Sequence, residues 1–193
     1  MVAIATEQGF PYWRAHGAIY RGWVKVKNGD VDEGLSLLRG GSVAYGATSA
    51  GPGMDNIALL AQGCEIAGQI EEAVSLFDDA LQIVERTGER WFAAELNRHK
   101  GQLVQQQGHS QAAEELYRKA LNIAGKQKAK LWELRAAVSL ARLRRDQGRH
   151  AEGRDLLARI YRWFTEGFDT PDLKEAKALL GALDVNRLHA RPS

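Results

Sequence analysis

The sequence contains a single cysteine, Cys64, and only four prolines in 193 residues. One cysteine cannot form an internal disulfide framework and is typical of a reducing compartment. No Gly/Ser-rich linker divides the chain into two domains. No segment approaches the roughly 20 apolar residues of a membrane-spanning helix, and the first residues lack the basic segment and long apolar core of a signal peptide. We therefore expect a cytoplasmic protein with no membrane partner.

Residue patterns that carry catalysis or bind metals are also missing. The closely spaced Gly51 and Gly53 lack the neighbouring Lys that a phosphate-binding loop requires. Acidic pairs such as Glu71/Glu72 are adjacent on a helix and point in different directions, whereas acid–base catalysis needs carboxyls that converge in a cleft. No histidine has a partner at a metal-ligand spacing; the histidines are His16, His99, His109, His150 and His189. We expect no catalytic residue, no metal and no cofactor, and an enzyme ranks far below a binding protein.

Net charge is small and unevenly distributed. The chain carries +2 overall, with 13 basic and 9 acidic side chains in residues 129–193, a local excess of +4. Such a gradient can steer an anionic partner, but it is too mild to indicate nucleic-acid binding.

The sequence does contain an internal repeat. Four related segments each begin at or beside a glycine, and these glycines, spaced by 39, 40 and 40 residues, are Gly29, Gly68, Gly108 and Gly148. A fixed period in this range is typical of a stacked array of supersecondary units.

The residues around each glycine indicate a helical hairpin. A small residue precedes the glycine by seven positions; these are Gly22, Ala61, Gly101 and Ala141. Another follows it by five positions; these are Gly34, Ala73, Ala113 and Gly153. Small residues that face each other allow two helices to pack closely, and the glycine ends the first helix because it adopts the left-handed conformation.

These spacings resemble the tetratricopeptide repeat (TPR), although the usual period is about 34 residues. The HEAT class has a period nearer to 40 residues but does not explain the paired small residues. The resemblance implies an all-α fold, a right-handed α-solenoid of about four TPR-like hairpins with a C-terminal capping helix. The expected single domain spans residues 1–184, with a preceding repeat's tail at 1–9, hairpins at 10–48, 52–88, 90–127 and 130–167, a capping helix at 170–184 and a flexible tail at 185–193.

Two stretches resemble a narrower group. Residues 162–180, "RWFTEGFDTPDLKEAKALL", and residues 5–23, "ATEQGFPYWRAHGAIYRGW", are similar to the C-terminal repeats of bacterial class III adenylate/guanylate cyclase or transcriptional-activator proteins with a STAND-type ATPase module. This resemblance implies the repeat region of a signalling protein, in which an upstream domain of the same polypeptide is the partner. No cyclase or ATPase motif is present in this chain.

The concave surface of such an array predicts the binding residues. The first helices of stacked hairpins line an extended groove that binds peptide or protein segments. The candidate groove residues are His16, Trp23, Gln62, Arg98, Gln102, Arg135, Arg142 and Arg145. We expect the arginines to hold an acidic peptide or an acidic neighbouring domain, because guanidinium groups pair well with carboxylates. The alternative is a solvated or locally salt-bridged surface.

Two functional interpretations follow. The first is a non-catalytic interaction or sensor module of a signalling protein that binds a peptide, protein or small ligand in the groove. The second is a free-standing adaptor that forms a homodimer through apolar surface at residues 1–13, where the first repeat is incomplete. Trp13, Trp91 and Trp132 recur near the start of first helices; we expect core packing between hairpins, with a ligand-stacking platform as the alternative.

Overall fold

The structure, a computed structural model, describes residues 9–48 and 53–189, with side chains described as far as Asp184. In these residues every regular element is an α-helix, and no strand is present. The helices are α1 (Pro11–Lys27), α2 (Val31–Thr48), α3 (Met54–Ile66), α4 (Ile70–Thr87), α5 (Ala93–Gln106), α6 (Ser110–Gln127), α7 (Lys130–Asp146), α8 (His150–Tyr161) and α9 (Pro171–His189). They form four hairpins, α1–α2, α3–α4, α5–α6 and α7–α8, followed by α9, so the predicted all-α fold is confirmed.

A glycine in the left-handed conformation lies between the two helices of every hairpin. The φ angles are 96° at Gly29, 76° at Gly68, 86° at Gly108 and 77° at Gly148. Residues with a Cβ rarely adopt such angles, so the glycine ends the first helix and starts the reversal. The spacing of these turn glycines along the chain is therefore the spacing of the hairpins.

The paired small residues lie at the helix crossings, as their spacing predicts. A Cβ added at Gly34 would lie only 2.6 Å from Val26 Cγ2 and 2.8 Å from the carbonyl oxygen of Gly22. In the third hairpin a Cβ at Gly101 would lie 2.6 Å from the ring of Tyr117. Interiors packed this closely do not accept an added methyl group without movement of the backbone.

The molecule divides into two compact units, Met1–Phe92 and Ala93–Ser193. Unit 1 contains α1–α4, and its fully buried side chains include Ile19, Leu38 and Phe77. Cys64 on α3 is also fully buried, and burial raises the pKa of its thiol to about 11. Arg39 on α2 donates to Glu72 on α4 at 2.9 Å, which ties the two hairpins of this unit together.

Unit 2 contains α5–α9, and its main core lies between α7, α8 and α9. Side chains from all three helices form one buried cluster that includes Leu134, Leu157, Leu173, Leu179 and Leu183. Since α9 supplies three of these leucines, it covers apolar surface that the last hairpin would otherwise expose. On this helix Leu179 takes the core position, while the neighbouring Leu180 is only partly buried.

Several boundaries differ from those expected. The second helix of the fourth hairpin ends at Tyr161 instead of continuing toward residue 167, because residues 162–170 form turns around Gly167, where φ is 75°. Helix α9 continues to His189, beyond the expected end at residue 184, and no Pro or Gly interrupts it there. The expected repeat tail at residues 1–9 lies outside the described residues except for Gly9, and the flexible tail lies outside them beyond His189.

The tryptophans do not all pack as expected. Trp13 is 50% exposed and Trp91 is 52% exposed, so core packing is the wrong description for both, while Trp132 is partly buried. Both exposed rings lie at or just before the start of a first helix, where the chain enters a hairpin.

Candidate functional site

A polar groove lies in unit 2 between the first helices α5 and α7 and the start of α9. It comprises two cavities of about 320 Å³ and 310 Å³ that share Gln102, Ser139 and Arg142. The first extends to Arg98, Arg135, Asp172 and Glu175, and the second extends to Gln105, Gln106, Tyr117, Arg145 and Asp146. Each has a volume near the lower end of the range for ligand sites.

The floor of the groove is an ion-pair network around Glu95. Arg98 Nε and Nη2 each donate to this carboxylate at 2.8 Å, and Arg135 Nη1 lies 3.5 Å from Glu95 Oε2. Arg135 also donates to Asp172 on α9, from Nε at 2.7 Å and from Nη2 at 3.0 Å. We call Glu95, Arg98, Arg135 and Asp172 the floor network. It connects α5, α7 and α9.

Two residues of the floor network are buried. The side chain of Glu95 is 4% exposed and that of Arg98 is 11% exposed. Burial alone would raise the pKa of Glu95, but hydrogen bonds from Arg98 and the nearby positive charges outweigh it and lower the pKa below its usual value. The hydrogen bonds from Arg135 likewise lower the pKa of Asp172. Both carboxylates are therefore ionised at neutral pH.

His99 borders the floor network as a neutral acceptor. Arg98 Nη2 lies 2.8 Å from His99 Nε2, and since a guanidinium can only donate, Nε2 accepts this hydrogen bond. Burial, together with the charge of Arg98, lowers the pKa of His99 to about 3.

The rim of the groove carries two exposed ion pairs. Arg142 Nη2 lies 2.7 Å from Glu175 Oε1 on α9, and both side chains are more than 40% exposed. Arg145 Nη2 lies 2.8 Å from Asp146, its neighbour in sequence. Exposed pairs of this kind contribute only about 0–1 kcal/mol each to stability. These two arginines can therefore exchange their carboxylate partners at a small cost in free energy.

Amide groups lie between the rim and the floor. Gln102 Oε1 accepts a hydrogen bond from Arg98 Nη1 at 3.1 Å, and Gln105 Oε1 accepts one from the Tyr117 hydroxyl at 2.8 Å. Each glutamine keeps an NH₂ group that can donate, which suits backbone carbonyls of a bound segment.

The structure brings five of the predicted site residues to this groove. They are Arg98, Gln102, Arg135, Arg142 and Arg145. Arg98 and Arg135 are held by carboxylates of the chain itself, which agrees with the locally salt-bridged alternative rather than with arginines presented to a ligand. Sequence reasoning missed the acidic partners Asp172 and Glu175. Glu95 and Arg135 are 40 residues apart and so occupy equivalent positions of successive repeats, and opposite charges one repeat apart are a signal for such a pair.

The other three predicted residues belong to unit 1 and line neither cavity. His16 on α1 lies in an aromatic cluster, with ring centroids 5.0 Å from both Tyr12 and Tyr45. Trp23 lies beneath the Lys27 ammonium, which is 5.5 Å from the ring centroid. Gln62 on α3 donates to the Ala58 carbonyl at 3.2 Å within its own helix.

In the part of the chain that the structure describes, no group of three or more His, Cys, Asp or Glu side chains is arranged to hold a metal ion. Within the same residues, no helix is both long enough and apolar enough to cross a lipid bilayer.

Comparison with known proteins supports the repeat assignment. Residues 54–126 match the tetratricopeptide repeat family model. This segment comprises α3–α6. No curated protein matches the sequence significantly.

Solved TPR-like structures are similar over most of the chain. One is a single-residue variant of a Podosopora anserina protein, described as a kinesin light chain with nearly identical TPR-like repeats. Its TM-score is 0.72 at 18% identity, and the alignment covers 92% of this chain and 88% of that chain. BtubC (BKLC) from P. vanneervenii has a TM-score of 0.68 and 15% identity, covering 100% and 92%. MamA has a TM-score of 0.54 and 15% identity, covering 92% and 84%. At these identities the likeness establishes a TPR-like helical fold, a type of scaffold that commonly binds proteins.

Proposed function

We propose that this protein is a non-catalytic binding module and that unit 2 binds an acidic peptide or protein segment in the groove between α5, α7 and α9. The observation that carries the proposal is the continuity of the two cavities through Gln102, Ser139 and Arg142. A groove with a row of amides and arginines suits an extended segment, since amides bind the backbone and arginines bind side-chain carboxylates.

The energies of the ion pairs decide which arginines can contact the ligand. Removing Arg98 from the buried Glu95 would cost about 3–5 kcal/mol, and Arg135 is held by two hydrogen bonds to Asp172, so these two arginines support the groove. The exposed pairs of Arg142 and Arg145 cost about 0–1 kcal/mol to break. An incoming carboxylate can therefore replace Glu175 or Asp146 by a side-chain rotation, while α9 keeps its leucines in the core.

The test compares two doubly substituted chains with matched charge. Arg142→Ala/Arg145→Ala removes the rim, and Arg159→Ala/Arg162→Ala removes two exposed arginines at the end of α8. The probe is a fluorescein-labelled ten-residue Glu/Ala/Leu peptide, with a Lys/Ala/Leu peptide of the same pattern as the negative probe. We expect anisotropy to show at least tenfold weaker binding for the rim variant and less than twofold for the control, with affinity falling as salt rises. Equal effects of the two variants would remove the support for the groove.

The signalling setting is the finer part of the same proposal. Segments that resemble cyclase- and activator-linked repeats suggest that groove occupancy alters how the repeats pack against a neighbouring domain. Coupling of this kind is reciprocal, so the state of that domain must change the affinity of the groove. Equal peptide affinity of the 193-residue chain and of a longer protein that contains it would argue against the coupling.

A further inference from the structure

Helix α1 has an apolar face that no described part of the chain covers. Ala15, Ile19, Gly22 and Val26 form its buried side, which packs against α2. The opposite side carries a stripe of apolar residues that are each about half exposed: Phe10 at 52%, Trp13 at 50%, Tyr20 at 50% and Val24 at 55%. The stripe extends for about 21 Å along the helix axis, at 1.5 Å per residue. A monomeric surface rarely keeps such a row of large apolar side chains without a partner.

The charge around this stripe has one sign. Helix α1 contains Arg14, Arg21, Lys25 and Lys27 and no Asp or Glu. Lys25 is neutralised by Asp30 and Glu33, at 3.0 Å and 2.7 Å. Arg14 and Arg21 each follow an aromatic residue of the stripe by one position and lie along one of its edges, and neither forms an ion pair with any of the residues that the structure describes. We call this stripe with Arg14 and Arg21 the α1 face.

Equivalent positions elsewhere in the chain identify the kind of element that fits the α1 face. Val24, Gly63 and Leu143 each lie two residues after the small residue at a helix crossing. In unit 1 a Cβ added at Gly63 on α3 would lie 2.9 Å from Leu38 and 3.1 Å from Leu35, both on α2. In unit 2, Leu143 on α7 is 1% exposed and clusters with Tyr117 of α6.

In both units, then, the position equivalent to Val24 is covered by the second helix of the hairpin before it. The covering helices are amphipathic and carry acidic residues near their start, Asp32 and Glu33 on α2 and Glu114 and Glu115 on α6. In α3 and α7, the face that α1 leaves exposed is therefore covered by an amphipathic helix with acidic residues near its start.

We infer that the α1 face docks an acidic amphipathic helix, whose apolar stripe packs on Trp13, Tyr20 and Val24 and whose carboxylates pair with Arg14 and Arg21. A second copy of the same face fits poorly, because two rows of arginines would be brought together. An anionic membrane would satisfy the same charges, but the chain's internal precedent is a helix.

The experiment uses an acidic amphipathic helix from this chain as the probe. A capped, fluorescein-labelled peptide of residues 70–87 carries five acidic residues, one basic residue and an apolar stripe. We expect it to bind the full chain, and a scrambled peptide of the same composition to bind at least tenfold more weakly. Replacing its five acidic residues by amides should weaken binding at least fivefold.

Two variants locate the probe on the chain. We expect Tyr20→Ala/Val24→Ser and Arg14→Glu/Arg21→Glu each to weaken binding at least tenfold. Val43→Ser changes a side chain of α2 that is 76% exposed and is the control, with an expected effect below twofold. Circular dichroism of each variant must show unchanged helicity, and because all four substituted side chains are at the surface, loss of fold is not the expected result.

Five outcomes would overturn the inference. Equal binding of the scrambled peptide, or normal binding by both α1 variants, would show that the α1 face does not recognise a helix. Binding to phosphatidylglycerol vesicles that depends on Arg14 and Arg21, without peptide binding, would assign the face to a membrane. A dimer in light scattering that the Tyr20→Ala/Val24→Ser variant abolishes, again without peptide binding, would assign it to a second copy. Binding that appears only after deletion of residues 1–8 would assign it to that segment of this chain.

Discussion

At the scale of single residues, the most consequential position is Glu95. This buried carboxylate is the ion-pair partner of the buried Arg98 and also lies 3.5 Å from Arg135. Removal of its charge would leave the Arg98 guanidinium without a carboxylate partner in a site of low dielectric, while Arg135 keeps Asp172. We expect Glu95→Gln to lower the free energy of unfolding of unit 2 by about 3–5 kcal/mol. Exposed Glu115→Gln is the control, with an expected change within about 0.5 kcal/mol. Urea denaturation measures both, and similar midpoints would contradict the central role of Glu95.

His99 gives unit 2 a pH dependence whose sign is fixed. Its pKa is about 3 in the folded protein and 6.5 in the reference state, so the unfolded chain binds a proton that the folded chain does not. The contribution of the neutral His99 to the free energy of unfolding is therefore fully present above about pH 6.5. It is lost as the pH is lowered, by at most about 1.4 kcal/mol per pH unit. Glu95 and Asp172, whose pKa values are also lowered, add to this loss only near and below their own reference values of 4.5 and 3.8.

The measurement is amide hydrogen exchange of α5 and α7 at pH 5.0 and pH 7.0. We expect His99→Gln, whose amide oxygen can accept from Arg98, to reduce the difference in opening free energy between the two conditions. His109→Gln changes an exposed histidine of the same unit and is the control. An unchanged difference in the His99 variant would show that another group carries the pH dependence.

The sequence identified residues on the groove better than it identified their partners. Repeat alignment places side chains on a shared face, which is why Arg98, Gln102, Arg135, Arg142 and Arg145 meet. It does not predict which carboxylate each guanidinium pairs with, because Asp172 and Glu175 belong to α9, which lies outside the repeat. The resulting division into a buried floor and an exposed rim follows from packing alone.

At the scale of helices, two glycines of α2 make a matched pair. A Cβ at Gly34 would meet backbone atoms of α1 within 2.8 Å, whereas a Cβ at Gly40 would have nothing within 4 Å. We expect Gly34→Ala to destabilise unit 1 by about 1–3 kcal/mol and Gly40→Ala to stabilise it by about 0.5–1 kcal/mol. Thermal denaturation should shift in opposite directions, and two shifts of the same sign would contradict this account of the crossing.

The hairpins themselves were predictable because each depends on local signals. A left-handed glycine between two helices and small residues at fixed distances from it are visible in the sequence and are used as such in the structure. The end of α8 at Tyr161 was not, since "RWFTEGF" contains no strong helix breaker before Gly167. The exposed Trp13 and Trp91 mark the same limit, because recurrence shows that positions are equivalent without showing that they are buried.

At the scale of the whole molecule, the division between Phe92 and Ala93 had no signal in the sequence, which lacks a linker there. Since each unit has its own buried core, we expect damage to remain mostly local. Gly34→Ala should accelerate hydrogen exchange mainly in residues 11–87, and Glu95→Gln mainly in residues 93–183. Equal acceleration in both units for either variant would mean that the chain opens as one cooperative body.

The buried thiol of unit 1 has a practical consequence. Cys64 is inaccessible and is the only cysteine, and its pKa of about 11 leaves almost no thiolate at neutral pH. An alkylating reagent can therefore modify the chain once, and only while α3 is open. The rate of that single modification, followed by mass spectrometry, therefore measures how often unit 1 opens and requires no engineered label.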